Sequence, residues 1–262
     1  MSPVPVMHWS GYLLPIALTI VAWWGSTAVI ARLVGRAPNT YPSLLVIASA
    51  LGLAGFAANV VLRDVTTPAA ALAGFLAALF LWGWIEVTFL TGAVTGPPRT
   101  TLPRRRGWGR ALDALRAILW HELLIVAIVA VVAVTTVGRD NDVTLLVLLL
   151  LWLMRTSAKL NLFLGVRNLG AGFLPPHLVH LLDFMQERRM NILMPASLLL
   201  GAALMASFGR DALSASTAFD ATVGSLLATL ALLATIEHLF MILPLPAEAL
   251  WRWSLANRRP SN

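Results

Sequence analysis

Seven continuous apolar runs recur along the chain, at about 12 to 34, 42 to 62, 69 to 92, 113 to 137, 143 to 166, 191 to 208 and 219 to 243. Each is long enough to cross a hydrocarbon core of about 30 Å as an α-helix. A backbone in lipid must satisfy its own polar groups, which leaves helices or closed barrels as spanning structures. These runs do not alternate between apolar and polar residues, so barrel strands are excluded. Composition agrees: 58% of residues are apolar, only 12% are charged and the mean hydropathy is +0.80, whereas roughly a quarter of a soluble domain is charged. The expected fold is all-α, a polytopic membrane helical bundle that forms a single integral membrane domain over residues 1–262.

Residues 1–11 contain no Lys or Arg and the run that follows is too long for a signal-peptide core, so the first segment reads as a retained anchor. The net charge of +7 marks topology rather than nucleic-acid binding. Arg63, Arg139 and Arg210 fall on one side of the seven spans, and the other sixteen of the nineteen Lys and Arg residues fall on the opposite side. The excess belongs in the cytoplasm, which predicts an outside N-terminus and a cytoplasmic C-terminus. Two polar connections on that side stand out. One is a basic loop at 96–110 containing Arg104-Arg105-Arg106. The other, at about 176–189, spaces Leu178, Leu181, Leu182 and Met185 as an interfacial amphipathic helix with His177, His180, Asp183 and Glu187 opposite. His177 and His180 on one face suit a solvated stripe better than a metal site. Trp9, Trp108, Trp251 and Trp253 suit interfacial belts, while Trp23, Trp24, Trp82, Trp84 and Trp152 lie deeper.

Cysteine is absent, which removes disulfides, thiol nucleophiles and thiolate metal sites. No phosphate loop, nucleophile elbow or zincin motif occurs in a credible context. The chemistry-bearing residues are instead ionisable groups inside the spans: Glu86 in the third, His121 and Glu122 in the fourth, Arg155 and Lys159 in the fifth, Glu237 and His238 in the seventh. Such groups cost roughly 2.5–3.5 kcal/mol on insertion scales, so each calls for a partner or a task. A rise of about 1.5 Å per residue sets the two His–Glu dyads at matching depth, one polar pocket in the cytoplasmic leaflet.

Three uses of that pocket compete. The carboxylates balance Arg155 and Lys159 in a structural ion-pair network. Alternatively, Glu86, His121, Glu122, Glu237 and His238 bind iron or zinc, although the Glu-x-x-His spacing of bundle metal sites is missing. Or neutral His121 or His238 ligates the central metal of a tetrapyrrole whose ring lies among the deep Trp residues. In that third reading Arg155, Lys159, Asn161, Arg167 and Asn168 are candidate partners for the polar groups of such a cofactor. A snorkelling Arg167 with capping Asn residues is the plainer account of the last three.

The chain resembles the PuhE family, photosynthetic complex assembly proteins of purple phototrophic bacteria. The matching strings are Trp82-Gly83-Trp84 with Glu86, Phe89-Leu90, Gly92 and Gly96-Pro97; His121-Glu122; Lys159-Leu160-Asn161 with Phe163-Leu164-Gly165-Val166-Arg167-Asn168; Phe173-Leu174-Pro175 with His177-Leu178; Glu237-His238; and Pro244-Leu245-Pro246 with Leu250-Trp251. The resemblance implies a cytoplasmic-membrane assembly factor for the reaction centre and core light-harvesting complex. Bacteriochlorophyll or a precursor is the implied ligand, reaction-centre or light-harvesting subunits the implied partners. It implies no particular reaction. The alternative is a membrane metal-dependent enzyme modifying a pigment, quinone or lipid precursor. A transporter would carry charges toward both faces, and the outer halves of the spans hold almost none.

Overall fold

Residues 10–97 and 107–244 are described by the structure, a computed structural model. Their α-helices are α1 (Ser10–Val34), α2 (Tyr41–Leu62), α3 (Pro68–Leu90), α4 (Trp108–Ala117), α5 (Leu119–Thr136), α6 (Val143–Leu164), α7 (Met194–Ser214) and α8 (Ala218–Ile242). All except α4 are long and apolar enough to cross a membrane. The chain is therefore an all-α, multi-pass membrane protein. Helix starts follow local chemistry. Thr67 accepts a hydrogen bond from the Ala70 amide (3.1 Å) with Pro68 in the first turn of α3, and Thr217 accepts from the Asp220 amide (3.0 Å) at α8.

The core joins Phe75 and Ile85 of α3, Ile125 and Val132 of α5, Leu148 of α6, and Leu226 and Leu230 of α8. Helices in lipid gain little from hiding apolar groups, so close van der Waals packing holds them together. Small residues permit it: a Cβ on Gly55 of α2 would lie 2.7 Å from the Ala77 carbonyl oxygen, and one on Gly224 of α8 would lie 2.7 Å from the Ala212 amide nitrogen of α7.

At the Arg-rich end, the segment 165–193 runs as a strap across the helix ends. It leaves α6 at Gly165, whose φ of +119° and contact with the Arg188 side chain leave no room for a Cβ. The Asn168 amide donates to the Phe240 and Leu243 carbonyls of the α8 end, 2.6 Å each. Leu178 and Leu181 then pack on Phe89 at the end of α3. Arg110 of α4 donates to the carbonyls of Phe184 (2.6 Å) and Phe163 (3.0 Å). Burial, with the neighbouring Arg188 cation, holds Arg110 below the ordinary arginine pKa. Asn191 closes the strap by donating to Asn161 and Gly165 carbonyls while its Oδ1 accepts from the Leu193 and Met194 amides at the start of α7.

Two expectations change. The fourth span begins at Leu119, because Ile118 leaves helical geometry (φ −123°, ψ 11°) and separates α4 as its own short helix. The segment expected as an amphipathic helix at about 176–189 is a 3-10 helix over Pro176–Phe184, followed by extended backbone in which Val166 and Glu187 pair. With three residues per turn, Leu178 and Leu181 eclipse and both bury. Residues 98–106 of the basic loop, and Trp9, Trp251 and Trp253, lie outside the described residues.

Because the Ala212 backbone has nowhere to retreat, Gly224→Val is expected to pry α7 from α8 and cost about 1–3 kcal/mol, read as a lowered midpoint in detergent unfolding.

Candidate functional site

Glu86 sits four residues before the end of α3, Glu237 five before the end of α8, and His121 two after the start of α5. At about 1.5 Å per residue these side chains share a level within one to two turns of the Arg-rich end. Arg155 and Lys159, four apart on α6, reach it from one face. Arg155 Nη2 donates to Glu86 Oε2 at 3.4 Å, and Lys159 Nζ donates to Glu122 Oε1. Glu237 lies within the electrostatic reach of Arg155 and Glu86 without an ion pair of its own among the described residues. Three carboxylates thus face two cations.

His121 stands inside this field, acted on by Glu86, Lys159, Glu122 and Arg155. Its ring tilts 35° against Phe89 with centroids 4.4 Å apart, its backbone amide donates to the Thr95 carbonyl (3.0 Å), and the residue is 1% exposed. Its Nδ1 is buried and has no hydrogen-bond partner, and the same holds for Glu86 Oε1. Most buried polar atoms in proteins are bonded, so two unpartnered atoms in one cluster mark a site.

Two members of the cluster are also accessible. Arg155 follows fully buried Leu148 by seven residues and so shares its helix face, yet its side chain is 45% exposed. Glu237 follows buried Leu230 by seven residues on α8 and is likewise exposed. Two side chains with a core-facing helix phase are thus accessible at the level of the cluster.

His238 does not join the cluster. Its Nδ1 donates to the Ala234 carbonyl (2.8 Å), so Nε2 of the neutral ring accepts from the Ser157 hydroxyl (3.0 Å). Ser157 Oγ lies 2.9 Å from Ser197 Oγ, and the Asn161 amide donates to the Ser157 carbonyl (2.9 Å) and to Ser197 Oγ (2.8 Å). This second network joins α6, α7 and α8 and occupies both nitrogens of His238. Asn161 belongs to it, with Oδ1 buried and unpartnered. Asn168 caps α8, and Arg167 is exposed on the strap. Ser157 and Ser197 escaped the sequence reading, and Phe89 entered it only within a family-resemblance string; the one signal for the serines was Ser157 and Asn161 four apart on an otherwise apolar helix.

The residues do not fit a metal site. Among the described residues no group of three or more His, Asp and Glu side chains is placed to hold an ion. Glu86 and Glu122 are held by cations and His238 by hydroxyls. Of the deep Trp residues, Trp23, Trp82 and Trp152 pack on the core. Trp84 donates to Ser49 Oγ (3.1 Å) and lines an apolar cleft of about 340 Å³ with Phe56, Leu81 and Ile128.

A family model described as "Protein of unknown function (DUF3623)" matches residues 9–262. The chain belongs to the DUF3623 family. A relative from Rhodobacter capsulatus, described as "Uncharacterized 30.4 kDa protein in puhA 5'region", is 36% identical over 244 residues, which cover 90% of this chain and 88% of the relative. No solved structure matches. This DUF3623 chain thus carries its polar cluster and its hydroxyl network inside a domain that the family model covers almost from end to end.

Removing one partner of an enclosed ion pair leaves the other charge uncompensated. Lys159→Met is expected to destabilise by about 3 kcal/mol, and Lys159→Met with Glu122→Gln to recover most of it, as a double-mutant unfolding cycle in detergent would measure.

Proposed function

We propose that this protein is an assembly factor for the photosynthetic reaction centre and core light-harvesting complex, and that it handles bacteriochlorophyll or a precursor at the His121 cluster. The relative described by its position in the puhA 5′ region carries the photosynthetic part of the reading. The buried, unpartnered Nδ1 of His121 carries the ligand part. A neutral imidazole offers a lone pair to a central metal, and a bound bacteriochlorophyll would supply that metal as a Lewis acid. Phe89 orients the imidazole by ring contact. Arg155, with one long bond to Glu86 and a side chain 45% exposed, keeps donors for carbonyl or carboxylate substituents. In this reading the protein resides in the cytoplasmic membrane. Its Arg-rich end faces the cytoplasm and its N-terminus lies outside, as the sixteen-to-three split of basic residues supports.

Among the described residues no group of three or more His, Asp and Glu side chains supports the metal-enzyme reading. Deleting the gene from its phototrophic host is expected to lower near-infrared absorption of the assembled complexes, and His121→Leu to complement worse than His238→Gln at equal protein level. Unchanged complexes in the deletion strain would sink the proposal.

A further inference from the structure

Helix α4 is amphipathic in the opposite sense to a helix on a soluble protein. Trp108, Leu112 and Leu115, at positions i, i+4 and i+7, share one face and are 88%, 57% and 49% exposed. The polar face turns inward: Asp113 is buried, and Arg110 donates to the Phe163 and Phe184 carbonyls with its guanidinium 4.2 Å from the centre of the Phe163 ring. In water this arrangement leaves three large side chains unburied while spending polar groups on internal contacts, an unfavourable use of the helix.

The apolar row does not end with the helix. Past the break at Ile118 it continues into Trp120 and Leu123, both exposed on α5, which crosses the membrane. The outward face of α4 is thus continuous with a lipid-facing surface. Trp108 at its beginning combines an apolar ring with an N–H that suits the headgroup level, and Arg116 near its end is exposed.

We propose that α4 lies in the bilayer interface, with Trp108, Leu112 and Leu115 in the boundary between headgroups and acyl chains, and that phospholipid rather than protein covers this face. The consequence reaches the site. The inner face of α4 grips the end of α6 and the strap through Arg110, and His121 follows the Ile118 break by three residues. Lipid contact at α4 therefore sets the depth of the His121 cluster against the membrane surface.

The chain contains no cysteine, so single-site spin labelling needs no background removal. Leu112→Cys, Leu115→Cys and, on the exposed strap, Arg167→Cys, each carrying a nitroxide, are reconstituted in phosphatidylethanolamine–phosphatidylglycerol bilayers. Collision with oxygen, which partitions into lipid, is compared with collision with a water-soluble nickel chelate. Labels at 112 and 115 are expected to favour oxygen severalfold, at a depth of about 5–10 Å, while the label at 167 favours nickel. A label at 112 as open to nickel as that at 167 overturns the proposal. Labels at 112 and 115 that are immobilised and shielded from both reagents also overturn it, in favour of a protein covering such as a second copy of the chain.

Discussion

Everything polar in this protein answers to one constraint: inside hydrocarbon no water stands ready to take a charge or a hydrogen bond. The backbone meets it by forming helices. The side chains meet it by pairing, and the contacts of Arg155 with Glu86 and of Lys159 with Glu122 are what allow α3, α5 and α6 to carry ionisable groups at all. Those pairs fix the rotation of three helices about their axes, because each carboxylate has to face its cation. Once α6 is set, Ser157 and Asn161 turn toward α7 and α8 on its other side, where the Ser197 and His238 contacts lock the second half of the bundle. Charge pairing and hydroxyl bonding divide the bundle into two halves that meet on a single helix.

The seven spans were legible because length and apolarity alone determine whether a segment crosses a membrane. Depth was open to counting for the same reason: the rise of a helix is constant, so the His121–Glu122 and Glu237–His238 dyads count to matching depth, with Glu86 somewhat deeper. Rotation was not. Adjacent residues on a helix point about 100° apart, and no spacing rule says whether they share a pocket, as His121 and Glu122 do, or part, as Glu237 and His238 do. Packing decided it: the ring of His238 goes to Ser157, and Glu237 stays within reach of Arg155 and Glu86. The break before α5 was hidden because Leu115, Ile118 and Leu119 keep the segment apolar on both sides of it. At 176–189 an α-helical and a 3-10 reading share their i, i+3 pairs. Leu178 and Leu181 therefore looked right for the wrong helix, and the neighbouring Pro175 and Pro176 were the only hint of tighter winding.

The strap and α4 hold the bundle together beside its polar level. Below the cluster, Phe75, Leu148, Leu226 and Leu230 pack in the apolar core. Above it, the strap fastens the end of α6 to α8 through Asn168, to α3 through Leu178, and to α4 through Phe184 before returning to α7 at Asn191. The strap thereby ties the ends of α3, α4, α6, α7 and α8 together at the Arg-rich end, next to the level of Arg155 and Glu237.

A cluster built only to glue helices would balance its charges and bond its acceptors. This one does neither. It sets Glu86, Glu122 and Glu237 against Arg155 and Lys159, leaves Glu86 Oε1 and His121 Nδ1 buried without partners, and exposes Arg155 on an inward helix face. Each departure makes the fold less stable than a matched network would be, and all of them fall at the same level. The hydroxyl network on the other side of α6 differs in that it holds no ion pair and satisfies both ring nitrogens of His238, although Asn161 Oδ1 is left without a partner. Two histidines that look equivalent in the sequence therefore part company on physical grounds, His238 as a fastening and His121 as the group still able to bind something.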